Sequence, residues 1–395
     1  MIGIGIIIPV FPTLITDLTG KGLSEAARIG GFLMLAFSAT QFVFSPLLGK
    51  LSDKFGRRPI LLISLFGLAI DYLFHAFAPT IGWLFVGRIL AGLTGASYTV
   101  AMAYVADIST SENKSKNFGI VGSAFGLGFI IGPIIGGYFG EDSYQVPFFI
   151  AAGLTMLNFL YGLFILPESH PPERRVKKIG FPNPLSSIIN LRKYKEVSAL
   201  ILAFFLVHIG GNALPATWTF FTELKFDWSE SQVGESLTVV GVLVAFVQGF
   251  LTGKLVNWVG NRKTLIFGFI MWPLGMSLFG FASEGWMLYV FTIPYCLGGV
   301  AGPTLQGFIS NEVPNDQQGE LQGALASLMN LAMIISLPVM TEIFRQFTVD
   351  DAPIHFPGAP YILSAALMII AFLIVLFRFF AKNDDSAAVD TLNDA

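Results

Sequence analysis

The sequence predicts an all-α membrane protein of about twelve transmembrane helices in two pseudo-symmetric six-helix bundles. Three observations carry that expectation. Only 12% of the 395 residues are charged against 54% hydrophobic, and phenylalanine alone accounts for 39; a water-soluble chain of this length needs far more polar side chains to cover its surface. Apolar runs of about 20 residues, long enough as helices to cross the ~30 Å hydrocarbon core, recur from end to end. A charged stretch near the start, GKLSDKFGRRP at 49–59, returns as GKLVNWVGNRK at 253–263.

Taken in order, the spans are expected at 1–16, 28–49, 59–78, 81–106, 117–139, 146–166, 196–221, 232–253, 264–282, 286–309, 319–346 and 357–380. Pro, Gly and charged residues punctuate the gaps, as in LPESHPPERRVKK and NEVPNDQQGE. The first run, MIGIGIIIPVFPTLIT, lacks a basic flank and contains Pro9 and Pro12, so it does not read as a cleaved signal peptide. It reads as a first helix whose beginning lies upstream of the given start. The N-terminal bundle is then 1–166, a basic linker covers 167–195, the C-terminal bundle is 196–380, and 381–395 reads as a disordered cytoplasmic tail. The single cysteine, Cys296, lies in an apolar run and leaves no internal disulfide.

Orientation follows from lysine and arginine. If 50–58 is cytoplasmic, the loops on its side (50–58, 107–116, 167–195, 254–263 and the tail from Arg378) hold 18 of the 23 basic residues. Both termini are then cytoplasmic. Lys21, Arg28, Lys225 and Arg345 fall on the other side, and Arg88 falls inside a span. The repeat extends further, since IGWLFVGRILAGLTG at 81–95 has a weaker echo in EGWMLYVFTIPYCLGG at 284–299. Parallel repeats of this kind place a substrate site between the two halves near the midplane.

Asp71 is the most informative single residue. It stands about twelve positions into its span, ~18 Å from the cytoplasmic end at the helical rise, where an ionisable group is expensive and a functional candidate by default. The tight turn at 79–80 brings Arg88 to a similar depth, close enough to pair. Such a pair either neutralises two charges structurally, or Asp71 carries the coupling proton or meets a cationic group of the substrate; burial and a nearby cation pull a carboxylate in opposite directions.

Other polar residues in spans are weaker signals. His208 and Asn212 are four apart on one helix face, and with Gln41, Asn158, Gln248, Gln306 and Asn330 they are candidates to line a cavity or to hydrogen-bond between helices. Trp218 and Phe221 are candidates to stack on a planar ligand or to belong to the interfacial belt. Gly128, Gly132 and Gly136 recur every four residues, a spacing for close helix packing, with Pro133 adding a bend. Enzymatic readings find little support. The glycine runs lie inside apolar spans rather than between a strand and a helix, and four scattered histidines make no metal cluster. Nothing outside the spans is basic and aromatic enough for nucleic acid.

Several of these stretches resemble the major facilitator superfamily in its order: GKLSDKFGRRP its loop 2–3 signature, LFVGRILAGLTGAS its helix 4 motif, and GLGFIIGPIIGG the helix 5 motif of its antiporters. GLAIDYLFHAF, SAFGLGFIIGPIIGGYFGE, GELQGALASL and ALPATWTFFTELKFDWSESQVGESL resemble the tetracycline-efflux branch of its drug/proton antiporters. The resemblance implies a cytoplasmic gate of Gly49, Asp53, Gly56, Arg57 and Arg58, with Asp53 facing the start of helix 11. It implies a monomer in the bacterial inner membrane, driven by the proton gradient with no resident cofactor. A tetracycline-like cargo would travel as a metal chelate. The chain departs from that branch in helix 9, where Trp272 stands in place of an acidic residue, and Asp71 is left as the only carboxylate deep in a span. The expected function is a proton-coupled antiporter exporting a small organic compound or drug by alternating access. A proton-coupled symporter of a small metabolite and a non-transporting membrane sensor remain as alternatives on the same fold.

Overall fold

The computed structural model describes residues 2–95, 97–110, 114–175, 188–189, 191–193, 197–314 and 317–393, and among them it contains helices and no strand. Each expected span is present, but several are built in pieces. The first is α1 (Ile2–Ile7) and α2 (Phe11–Thr19). Proline has no N–H to donate, so Pro9 ends the first piece, and Pro12 fits the opening turn of the second. Then come α3 (Leu23–Phe55), α4 (Arg57–Ala76), α5 (Ile81–Thr94) with α6 (Ser97–Ile108), α7 (Lys114–Gly140) and α8 (Gln145–Phe164).

In the second half, span 7 is α9 (Ser198–Gly211) and α10 (Ala213–Phe226), interrupted at Asn212. Spans 8 and 9 are α11 (Glu230–Phe246), a π-turn at Val247–Leu251 and α12 (Thr252–Phe281). Helical turns run over those 52 residues, which as one straight helix would span about 78 Å at the helical rise, too long for one crossing. Gly260 supplies the change of direction at φ 82°, ψ 162°. The rest is α13 (Gly285–Gly298), α14 (Ala301–Asn311), α15 (Gln318–Gln346) and α16 (Ala359–Asn393). Among the described residues, nine helices are long and apolar enough to cross a membrane, with Glu230–Phe281 counted once. The helix α16 continues past the expected end of its span near 380, because AKNDDSAAVDTLN offers neither Gly nor Pro to stop it.

The internal repeat has a backbone counterpart. Gly56 takes φ 105°, ψ 159° and its repeat mate Gly260 takes φ 82°, ψ 162°, a left-handed turn that only glycine adopts without strain. Helix pairing repeats too. Spans 3 and 6 pack together, as do 9 and 12; spans 3 and 4 pair, as do 9 and 10.

Two compact units emerge. The first comprises Met1–Pro184, Ala216–Val242 and Leu337–Pro357, so the ends of spans 7, 8 and 11 farthest from the basic loops pack with the first six spans. The second comprises Leu185–Pro215, Leu243–Ser336 and Gly358–Ala395. Its core includes Leu200, Phe204, Leu265, Phe269, Leu305, Leu325 and Val375. About half of the expected linker at 167–195, including 176–187, lies outside the described residues.

Candidate functional site

Asp71 and His75, one turn apart on α4, are both 0% exposed. The helix α5 comes close to them because Gly87 carries no side chain: a Cβ there would stand 2.9 Å from Asp71 Oδ1. From the next residue, the Arg88 guanidinium pairs with the Asp71 carboxylate through Nη2, and its Nε lies 3.3 Å from Oδ1. The same guanidinium lies over the Phe37 ring of α3 at 5.7 Å. His75 Nδ1 is 2.8 Å from the Asp71 carbonyl oxygen and 3.3 Å from its Oδ1. The imidazole is bracketed by Phe148 of α8 at 5.4 Å and Phe11 of α2 at 6.5 Å. Helices from spans 1, 2, 3, 4 and 6 thus enclose one carboxylate, one guanidinium and one imidazole. The depth arithmetic anticipates the Asp71–Arg88 pair; His75 escapes it, although it sits one turn on in the same stretch.

A second cluster builds the link between α3 and α4. Glu168, just beyond α8, accepts the backbone N–H of Arg57 through Oε1 at 2.8 Å and that of Arg58 through Oε2 at 3.2 Å. It thereby satisfies the open N-terminus of α4 with a negative charge. A Cβ on Gly56 would run into the Glu168 carboxylate. The Arg57 side chain reaches Asp53, Ser52 Oγ at 2.6 Å and Asp107 Oδ2 at 3.1 Å. Arg58 donates to the carbonyl oxygens of Gly162 and Leu163, and Ser52 Oγ donates to Gly49 O at 2.6 Å. The five gate candidates are therefore brought together, but within the first unit Asp53 pairs with Arg57. The start of span 11, its expected partner, belongs to the second unit. Glu168 and Asp107 are members of the cluster that the sequence reading did not single out.

The glycine stripe of α7 presses on the α1 backbone. A Cβ on Gly132 would lie 2.7 Å from Ile2 O and 2.8 Å from Gly5 Cα, and one on Gly136 would collide with Ile6 O. Gly128 O and Pro133 Cδ stand 3.0 and 2.9 Å from where a Gly5 Cβ would be. The Pro133 backbone also takes the close approach of Gly234 on α11, and Thr238 donates to Ile130 O at 3.1 Å.

Six of the cavity and stacking candidates, Gln41, Trp218, Phe221, His208, Asn212 and Gln306, are divided between the units. In the first, Gln41 donates to Gly95 O at 2.7 Å, closing the break between α5 and α6. Trp218 donates to Ser236 Oγ at 2.9 Å, and both Trp218 and Phe221 are buried, at 2% and 0%. There they pack the interior of the unit instead of presenting a free face. In the second, His208 Nδ1 lies 2.8 Å from Phe204 O, Asn212 donates to His208 O at 2.8 Å, and Gln306 donates to Gln322 Oε1 at 2.6 Å.

At the end of the first unit away from the basic loops, charges from both sequence halves meet. Arg345 pairs with Glu25 at 3.2 Å and Glu342 at 2.8 Å, and Arg28 with Glu342 at 3.5 Å. Thr13 donates to Glu230 at 2.7 Å and Ser24 to Thr348 O at 3.0 Å. Tyr144 donates to Asp17 at 2.7 Å; partial burial and that carboxylate hold its hydroxyl above the usual phenol range.

The family model for the Major Facilitator Superfamily matches residues 1–337 and 200–394. The chain belongs to the major facilitator superfamily. Among similar members, the tetracycline resistance protein of class C from Escherichia coli is 39% identical, covering 93% of this chain and 91% of that protein. The class B protein from Escherichia coli is 35% identical over 98% and 96%. Among solved structures, the human organic anion transporter MFSD10 aligns at TM-score 0.68 with 22% identity, covering 94% of this chain and 95% of that one, and so shares the fold. Within the superfamily this chain is a membrane transporter, not an enzyme.

Proposed function

We propose that this chain exports a tetracycline-like drug across the bacterial inner membrane in exchange for protons. Its kinship with the tetracycline resistance proteins supports the class of cargo. The observation that carries the mechanism is the buried Asp71 carboxylate held by Arg88 between α4 and α5. A proton entering this centre replaces Arg88 as the countercharge of the carboxylate. Its arrival frees the guanidinium, and the released pair allows the helices around it to repack, so that proton entry and drug exit alternate. Binding and release of the cargo on opposite faces is then tied to the gain and loss of one charge partner. The charge cluster around Asp53, Arg57 and Arg58 steadies the cytoplasmic side of the N-terminal helices. Both termini face the cytoplasm, the working unit is a monomer, and the drug travels with its chelated cation as cargo, with no resident cofactor.

The test is uptake of tetracycline with magnesium into everted membrane vesicles under an imposed pH gradient. Accumulation that collapses with a protonophore is expected. Failure of tetracycline to move while the gradient persists would overturn the cargo assignment, and movement insensitive to the gradient would overturn the coupling.

A further inference from the structure

We propose that His75 is the proton-accepting group of the coupling centre, taking over as the counterion of Asp71 when Arg88 withdraws. This rests on the exporter reading and deepens it by naming where the proton sits. The geometry settles the tautomer. His75 Nδ1 faces the Asp71 carbonyl oxygen at 2.8 Å and Asp71 Oδ1 at 3.3 Å. Both oxygens only accept while the carboxylate is ionised, so Nδ1 carries the hydrogen of the neutral ring and donates it. The lone pair is left on Nε2, which is buried and has no hydrogen-bond partner among the described residues.

A buried basic nitrogen without a partner is unfavourable and calls for an explanation. Packing does not supply one, since a leucine or methionine would fill the space between Phe11 and Phe148 without burying a polar atom. The two rings hold the imidazole in place, so Nε2 stays where a proton can be taken up and Nδ1 stays on Asp71. Among the described residues, the titratable and charged groups around it are few. Its own helix offers Asp71 and Tyr72, and α5 offers Arg88; α2 and α8 present the apolar Phe11 and Phe148.

With Arg88 in place, the centre holds one anion and one cation, and a second cation is opposed. When Arg88 leaves, a proton from the aqueous path forms the Nε2–H bond, and the imidazolium keeps its Nδ1–H on the carboxylate. The enclosed charge is zero in both states, and one proton is gained or released per exchange. No carboxylate is ever left unpaired in the apolar interior, the condition that costs most there.

Nitrogen-15 NMR of the purified full chain with labelled histidine tests this directly. There are four histidines, and His75→Gln assigns the relevant signal. The unsubstituted protein is expected to show the neutral Nδ1–H tautomer of His75 between about pH 5 and 8. In Arg88→Gln, an imidazolium signal is expected within that window. An Nε2–H tautomer in the unsubstituted protein, or a His75 that stays neutral throughout in Arg88→Gln, would overturn the proposal. Should Arg88→Gln not insert, the tautomer still decides, together with tetracycline transport by His75→Gln. That variant should keep its KM and lose one ionisation from its pH profile, and an unchanged profile counts against the proposal. The NMR arms need no cargo, so a failure of the exporter reading stays separate from a failure of this one.

Discussion

The Glu168 carboxylate receives the backbone N–H of Arg57 at 2.8 Å, so a residue beyond the sixth span caps the helix that forms the third. The cap also accepts from Arg58 and from the His170 N–H at 2.9 Å. Its loss in Glu168→Ala should destabilise the purified protein by about 1–2 kcal/mol. Glu168→Gln keeps one acceptor oxygen and should fall between. Gly56→Ala should do more damage than either, since the added Cβ meets both a positive φ and the carboxylate itself. Thermal unfolding in detergent checks the order, and equal midpoints for Glu168→Ala and the parent would dismiss the cap.

At Asp71, charge and stability separate. Asp71→Ala leaves Arg88 as an unpaired cation and should cost about 3–5 kcal/mol. The double variant Asp71→Asn, Arg88→Gln removes both charges and should recover much of that stability while remaining unable to drive uphill transport. Stability is read from unfolding and transport from vesicles under a pH gradient. Gradient-driven accumulation by the double variant would take Asp71 and Arg88 out of the mechanism.

The spans and their order were legible because a bilayer demands about 20 apolar residues per crossing whatever they pack against. The Asp71–Arg88 pair was legible for a related reason: two buried charges at equal depth on adjacent helices have few other partners. Hydropathy does not record where a helix breaks, so the interruptions at Asn212 and near Gly95, with Gln41 closing the latter, appear only in three dimensions. Glu168 and Asp107 look like any loop acid in sequence, because their role depends on a helix end about a hundred positions earlier or a side chain some fifty away. Trp218 and Phe221 near a span end suggest a wet, ligand-facing place, but contacts with neighbouring helices bury them.

Close approach between α7 and α1 makes its glycines unequal. Gly132→Ala brings a methyl group against Ile2 O and Gly5 Cα, and should cost about 1–3 kcal/mol as overpacking. Gly126 lies on the same helix with nothing within 4 Å of a Cβ, so Gly126→Ala should be neutral or stabilising by up to about 1 kcal/mol through helix propensity. Yield of folded protein and its melting midpoint provide the comparison. Equal effects at the two positions would mean that helix propensity, and not the contact with α1, governs this stripe.

The four charges Glu25, Arg28, Glu342 and Arg345 tie the start of α3 to the end of α15, yet their side chains remain 22–45% exposed. At that exposure each pair is worth only about 0–1 kcal/mol, so the cluster cannot be a major source of stability. A tie of that size suits a contact that opens in the alternating cycle proposed above. Arg345→Ala leaves Glu25 and Glu342 facing each other across the junction, and should raise the open fraction several-fold at most with little change in melting. Ala27 is 0% exposed on the turn below, so Ala27→Cys in a Cys296→Ser background reports opening through its rate of thiol labelling. Labelling should speed up in Arg345→Ala at low salt. The two proteins should converge at about 1 M salt, where charges are screened within ~3 Å. A rate that is indifferent both to Arg345 and to salt would assign closure of this end to the buried contacts of Gly31 with Thr341 and Gly30 with Phe220, and leave the charges no part in it.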